Sequence, residues 1–171
     1  MVARIVLVTG GARSGKSRLA EARLARFSGP HTYLATAEAG DAEMADRIAR
    51  HQRARGGDWR TEEVPLDLVA ALARGNGPVL VDCLTLWLSN LMLGGRDWEA
   101  EAEALMQVLP RLDRPVVLVT NEVGQGIVPE TPLGRAFRDA AGLLNQGVAA
   151  VADEVVLVVS GLPLILKSAR D

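Results

Sequence analysis

Lysine is almost missing from this 171-residue chain: Lys16 and Lys167 stand alone within a Lys+Arg total of 19. Any lysine placed at a motif position is therefore informative. Cysteine is scarcer still. Cys83 is the single one, so no internal disulfide can form, as suits a reducing compartment. Aromatics make up 4% of the residues, too few for the stacking platforms that bind single-stranded nucleic acid. Excess positive charge is also lacking. A net charge of −2 and a pI near 5.7 argue against a nucleic-acid partner or a polybasic membrane attachment. No apolar run nears the roughly 20 residues of a membrane span. The opening MVARIVLVTGG is broken by glycines before it reaches the length of a secretory h-region. A cytoplasmic protein without a membrane span is expected.

What is present is a globular core composition, 49% apolar and 23% charged, in a length that suits one domain over residues 1–171. Four continuous aliphatic runs stand out: Ile5–Val8, Val79–Val81, Val116–Val119 and Val155–Val159. Thr32–Leu34 is a weaker one. Continuous runs fit parallel strands buried on both faces. Helical patterns alternate with them over Lys16–Phe27, Ala42–Arg55, Trp98–Leu112 and Leu133–Ala152. The expected fold is a single-domain α/β sheet, mostly parallel and flanked by helices. After the turn signal Gly161-Leu162-Pro163, Leu164–Leu166 is expected to return as an antiparallel edge strand.

Open α/β sheets bind ligands at the carboxyl ends of their strands. Just past the runs lie Gly10 to Ser17, Ala35-Thr36-Ala37, Asp82, Asn121-Glu122 and Ser160-Gly161. The first, Gly10-Gly11-Ala12-Arg13-Ser14-Gly15-Lys16-Ser17, fits G-x-x-x-x-G-K-[ST] between a strand and a helix. Glycines let the backbone N–H groups wrap a phosphate, the helix N-terminus adds positive potential, and Lys16 reaches the β/γ-phosphates. For this composition a chance match has a probability of roughly one in 700. Ser17 and the strand-end Asp82 are the candidate Mg²⁺ ligands, with a helix cap or solvated carboxylate as the bland alternative for Asp82.

The Asn-Lys-x-Asp guanine reader of switch GTPases is missing, since no lysine lies between residues 17 and 166. Small-molecule phosphoryl or nucleotidyl transfer remains. Met44, Ile48 and His51 share one face of the 42–55 helix, with Arg47, Arg50, Arg53 and Arg55 around the imidazole. The pattern alone leaves two readings open: a half-buried histidine under a solvated basic face, or a nucleophile among phosphate-binding arginines. His31 has no such surroundings and is read as structural.

Further strings recur together with the phosphate loop: Ala35-Thr36-Ala37, Arg47-Ile48 with His51, Trp59-Arg60-Thr61, and Thr120-Asn121-Glu122-Val123-Gly124-Gln125-Gly126-Ile127-Val128-Pro129-Glu130. Gly134 to Asp139, Asn145-Gln146, Ala152 to Val155 and Val158 to Pro163 follow in order. Across nearly the whole chain, from Ile5 to Lys167, the sequence resembles the bifunctional adenosylcobinamide kinase / adenosylcobinamide-phosphate guanylyltransferase family of cobalamin biosynthesis. The resemblance implies a RecA-like P-loop fold and two reactions. ATP or GTP phosphorylates the aminopropanol hydroxyl of adenosylcobinamide, and GMP is then transferred from GTP through a guanylylated histidine, matching His51. It maps nucleotide contacts onto Gly10 to Ser17 (Gly10, Gly11, Ala12, Arg13, Ser14, Gly15, Lys16 and Ser17), Ala35, Thr36, Ala37, Gln52, Arg53, Ala54, Arg55, Glu63 and Asp82. It implies Mg²⁺ as cofactor and a homotrimer. The family pattern has a glutamate where this chain has Asp82, an acid of the same charge and shorter reach.

Glu122, Glu130 and Arg138 stay open between a base for the kinase step, for which Glu122 is best placed, and a loop-ordering salt bridge. The segment Leu84 to Trp98 is equally an oligomer interface or a buried helix. Two other functions compete with the main one: a P-loop kinase of another small metabolite without guanylyl transfer, and a nucleotide-gated binding module.

Overall fold

The structure is a computed structural model that describes residues 4–37 and 59–168. The expected helix Ala42–Arg55, with His51, Gln52, Arg53, Ala54 and Arg55, lies outside the described residues. In chain order the elements are β1 (Ile5–Gly10), α1 (Lys16–Leu24), β2 (His31–Ala35), β3 (Trp59–Glu63), α2 (Leu68–Arg74) and β4 (Val79–Asp82). Then come α3 (Leu84–Leu93), α4 (Trp98–Val108), β5 (Val116–Val119), α5 (Pro132–Val151), β6 (Glu154–Val159) and β7 (Leu162–Lys167).

The seven strands form one sheet in the order β3-β2-β4-β5-β1-β6-β7, with only β7 antiparallel. The strand that opens into the phosphate loop is therefore separated from the Asp82 strand by β5, the RecA-type arrangement. Ile5 and Leu7 point into a core shared with α2, α3, α4 and α5, built on Leu72, Trp87, Leu88, Leu105 and Leu144. Val6 and Val8 point to the opposite face, where α1 contributes Ala20 and Leu24. Both faces are buried, which is why the strand sequences run apolar without alternation.

Helix ends follow local chemistry. Asp97 accepts from Ala100 N at 3.1 Å to start α4, and Thr131 accepts from Gly134 N at 3.1 Å ahead of Pro132 to start α5. The 98–112 pattern is shorter than expected as an α-helix, because Leu109–Arg111 tightens into a 3₁₀ turn around Pro110. The 16–27 pattern likewise stops at Leu24. His31 Nε2 lies 3.2 Å from Leu24 O and 3.0 Å from Phe27 O, so it carries the proton and caps that helix end. The expected β7 edge strand is present, and its Pro163 costs no ladder bond at an outer edge.

Two elements escaped the sequence reading. β3 is a polar edge strand, WRTEE, and α2 is two turns long, too short for a periodic signal. The segment from Leu84 proves to be a core helix: Leu84, Trp87, Leu88 and Leu91 are fully buried, and Trp87 Nε1 donates to Leu66 O at 2.8 Å. Leu93, at its end, is 72% exposed. Leu88→Ala is expected to lower the unfolding free energy by about 2–5 kcal/mol in urea titrations. Leu93→Ala should change it by less than about 0.5 kcal/mol.

Candidate active site

The phosphate loop leaves β1 at Gly10, where a Cβ would come within 2.5 Å of the Val158 carbonyl oxygen, so glycine is required by close approach of β6. Gly15 takes φ 96° to hand the chain into α1, and Arg13 has φ 56°. Ser160 and Gly161, both at positive φ, make the two-residue β6–β7 turn. Gly161 N donates to Ser14 O at 2.8 Å, so this hairpin braces the loop from outside. Lys16 Nζ donates to Gly11 O at 3.1 Å across the loop. Ser17 follows on the first turn of α1, half-buried.

Asp82 ends β4, two strand spacings from β1, about 10 Å at the sheet's regular spacing. Its Oδ2 accepts from Tyr33 OH at 2.8 Å, which fixes the carboxylate against β2. Thr36 is fully buried and acts as a brace: its Oγ1 donates to Cys83 O at 2.7 Å and accepts from Cys83 N at 2.8 Å. Its own N–H donates to Asp82 O at 3.2 Å, and its carbonyl accepts from Asn90 Nδ2 at 2.8 Å. Any direct ligand contact from this segment thus comes from its backbone neighbours, with Ala35 buried and Ala37 half-buried. Glu63 closes β3, exposed, four strand spacings or about 19 Å from β1. Phosphate-loop contacts and a Glu63 contact therefore need a ligand as long as a nucleotide.

Glu122 lies directly beside the loop. Its N–H donates to Gly10 O at 3.1 Å, and its Oε1 accepts from Gly124 N at 2.7 Å. Arg138 orders the same stretch by donating to Gly124 O at 2.6 Å, a backbone bond rather than an ion pair with either glutamate. Sequence reasoning missed Tyr33 as the partner of Asp82. The available signal was that this lone tyrosine lies on the strand leading into Ala35-Thr36-Ala37. It also missed the buried pair Thr85 and Thr120 beneath Asn121.

The donor set suits Mg²⁺. Among the described residues no three His, Cys, Asp or Glu side chains cluster into a protein-only cage. One carboxylate and one hydroxyl beside a phosphate loop match an ion that keeps waters and takes substrate phosphate oxygens.

Cys83 forms the floor between these groups. Burial, then the Asp82 charge, pushes its thiol from 9.0 up to about 11, while Lys16 pulls the other way. Between those values an unfolded chain has lost the thiol proton and the folded chain still holds it. Stability from this group is thus complete below pH 9 and falls as pH rises toward 11. Unfolding free energies from urea titrations across that range should drop by up to about 2–3 kcal/mol more in wild type than in Cys83→Ala.

Residues 6–166 match the family model for cobinamide kinase / cobinamide phosphate guanyltransferase. The Pseudomonas aeruginosa bifunctional adenosylcobalamin biosynthesis protein CobP is 50% identical over 167 residues, covering 94% of this chain and 96% of that protein. The Escherichia coli and Salmonella typhimurium proteins of the same description, CobU, are 46% and 45% identical, each over 95% of this chain and 99% of their own. A solved structure from Pyrococcus horikoshii OT3 superposes with a TM-score of 0.55 at 11% identity, covering 98% of this chain and 88% of that one, a likeness of fold alone. Matched over almost its whole length, the chain belongs to the cobinamide kinase / cobinamide phosphate guanyltransferase family.

Proposed function

We propose that this protein catalyses both family reactions: phosphorylation of adenosylcobinamide by ATP or GTP, then transfer of GMP from GTP to give adenosylcobinamide-GDP and pyrophosphate. The observation that carries the reading is the gathering of Lys16, Asp82 and Glu122 around one phosphate loop, in a chain 50% identical to a bifunctional relative.

In the kinase step the loop N–H groups from Gly11 to Ser17 and the Lys16 ammonium hold the β/γ-phosphates. Ser17 and Asp82 would hold Mg²⁺, with Tyr33 fixing the acid. An Mg²⁺ held there would supply neutralisation of the charge building on the phosphates. The aminopropanol oxygen attacks the γ-phosphorus, its proton passes to Glu122, and the nucleoside diphosphate leaves. In the second step a neutral His51 nitrogen attacks the α-phosphorus of GTP and pyrophosphate departs. A phosphate oxygen of the corrinoid then attacks the same phosphorus and frees the histidine. Arg53 and Arg55 would neutralise the phosphates, with Gln52 and Ala54 of the same segment adding uncharged contacts. Glu63, at the far end of the edge, suits the base end of the nucleotide, where a carboxylate can accept from the guanine N1–H and N2–H₂ groups.

A homo-oligomer, a trimer in the family's manner, is part of this proposal. Its support is β7, which pairs with β6 on one side and ends the described sheet on the other, and where Leu162, Leu164, Ile165 and Leu166 are each 47–72% exposed. Among the described residues no helix is long and apolar enough to cross a membrane. A cytoplasmic location is proposed with it.

The deciding experiment is incubation with α-³²P-GTP and Mg²⁺, followed by denaturation and a search for acid-labile, base-stable label on the protein. Wild type should be labelled and His51→Ala should not. Unlabelled wild type that still consumes triphosphate would favour a plain metabolite kinase, and binding without turnover a nucleotide-gated module. Lys16→Ala should reduce kcat/KM of the kinase step on the order of 100-fold or more.

A further inference from the structure

The loop from Asn121 to Glu130 carries no helix or strand, yet its backbone is tied down at both ends and in the middle. Asn121 N donates to Thr85 Oγ1 at 2.7 Å, and Asn121 O accepts from Asn145 Nδ2 at 3.2 Å. Arg138 holds Gly124 O at 2.6 Å. Arg135 Nη1 donates to both Pro129 O and Glu130 O, at 3.0 and 2.8 Å. Arg135, Arg138 and Asn145 fall at i, i+3 and i+10, one stripe of α5. The helix thus presents a ready-made clamp for a loop that would otherwise lose entropy on ordering.

Beside the exposed Gln125, Gly126 and Glu130, the clamped loop offers two aliphatic side chains to solvent. Ile127 is 97% exposed and Val128 61% exposed. A rigid, exposed aliphatic pair is poised to bind, because its ordering cost has already been met by the fold. The loop's place in the fold indicates the occupant. Val123 packs into the core on the α5 side of the sheet, while the phosphate loop opens into α1 on the other side. The two meet where Glu122 N bonds Gly10 O. An in-line phosphoryl transfer brings the acceptor in opposite the leaving group, so an acceptor approaching a nucleotide on the α1 side comes across this loop.

We infer that Ile127 and Val128 contact the apolar, methyl-bearing rim of the corrin ring and so select a macrocyclic alcohol over a small one. The inference rests on the kinase reading above. Its test is the double variant Ile127→Ser with Val128→Ser. KM for adenosylcobinamide should rise about tenfold or more, the loss expected when two aliphatic contacts become hydroxyls. The Kd for GTP should stay within about twofold, because the pair lies away from the nucleotide side of the edge. The conservative pair Ile127→Leu with Val128→Ile should restore a KM within about threefold of wild type. An unchanged KM in the serine variant overturns the inference, as does a raised KM accompanied by a fall in solution mass, which would assign the pair to a subunit contact. Wild type unable to turn over adenosylcobinamide sinks the kinase reading and this inference together. Wild-type turnover with an indifferent serine variant sinks the inference alone.

Discussion

The carboxyl edge of this sheet depends on one side chain bonding a neighbouring strand's backbone twice. Where β2 and β4 end, their ladder stops, and the next backbone groups are buried with nowhere to turn. The Thr36 hydroxyl takes both the N–H and the carbonyl of Cys83. Leaving such a pair unmet would cost about 1–3 kcal/mol for each group. With that closure made, Asp82 emerges at a fixed height and Tyr33 can reach its carboxylate. Asn90 extends the brace into α3 by holding Thr36 O and Pro65 O together. The edge is stiff because its polar groups are answered from neighbouring elements.

Much of the fold was legible because burial on both faces writes itself as unbroken aliphatic runs. β1, β4, β5 and β6 were readable for that reason, and β7 from the turn before it. β3 was not, since an edge strand of Trp, Arg, Thr and two Glu carries no such mark. The phosphate loop was legible because its chemistry is local: glycines, a lysine and a hydroxyl within eight residues. The Tyr33–Asp82 and Thr36–Cys83 contacts were not, because they depend on which strand lies beside which. Only the register that sets Ala35 against Asp82 brings them together. Family likeness supplied the reaction class, and the sheet order supplied the reason that residues 16, 82 and 122 share one edge.

Cys83 changes meaning between the two levels of description. In the sequence it is a lone thiol that rules out disulfides. In the structure it is buried among Asp82, Lys16 and Asn121, whose Nδ2 lies 3.9 Å from its sulfur. A small side chain that stays neutral there fills the floor of a charged site without adding to its charge.

The position of β1 has a consequence for how the molecule comes into being. β1 is hydrogen-bonded between β5 and β6, which lie more than a hundred residues further along the chain. Its beginning is held by Asp153, whose carboxylate accepts from both Arg4 N and Ile5 N, and by Val116 N, which donates to Arg4 O. The phosphate-binding segment is therefore made before either strand that flanks it. The segment gains its sheet neighbours only after β5 and β6 have followed it, and such distant pairings slow folding. The binding loop therefore takes its braced form late in folding, once the β6–β7 hairpin has closed onto Ser14.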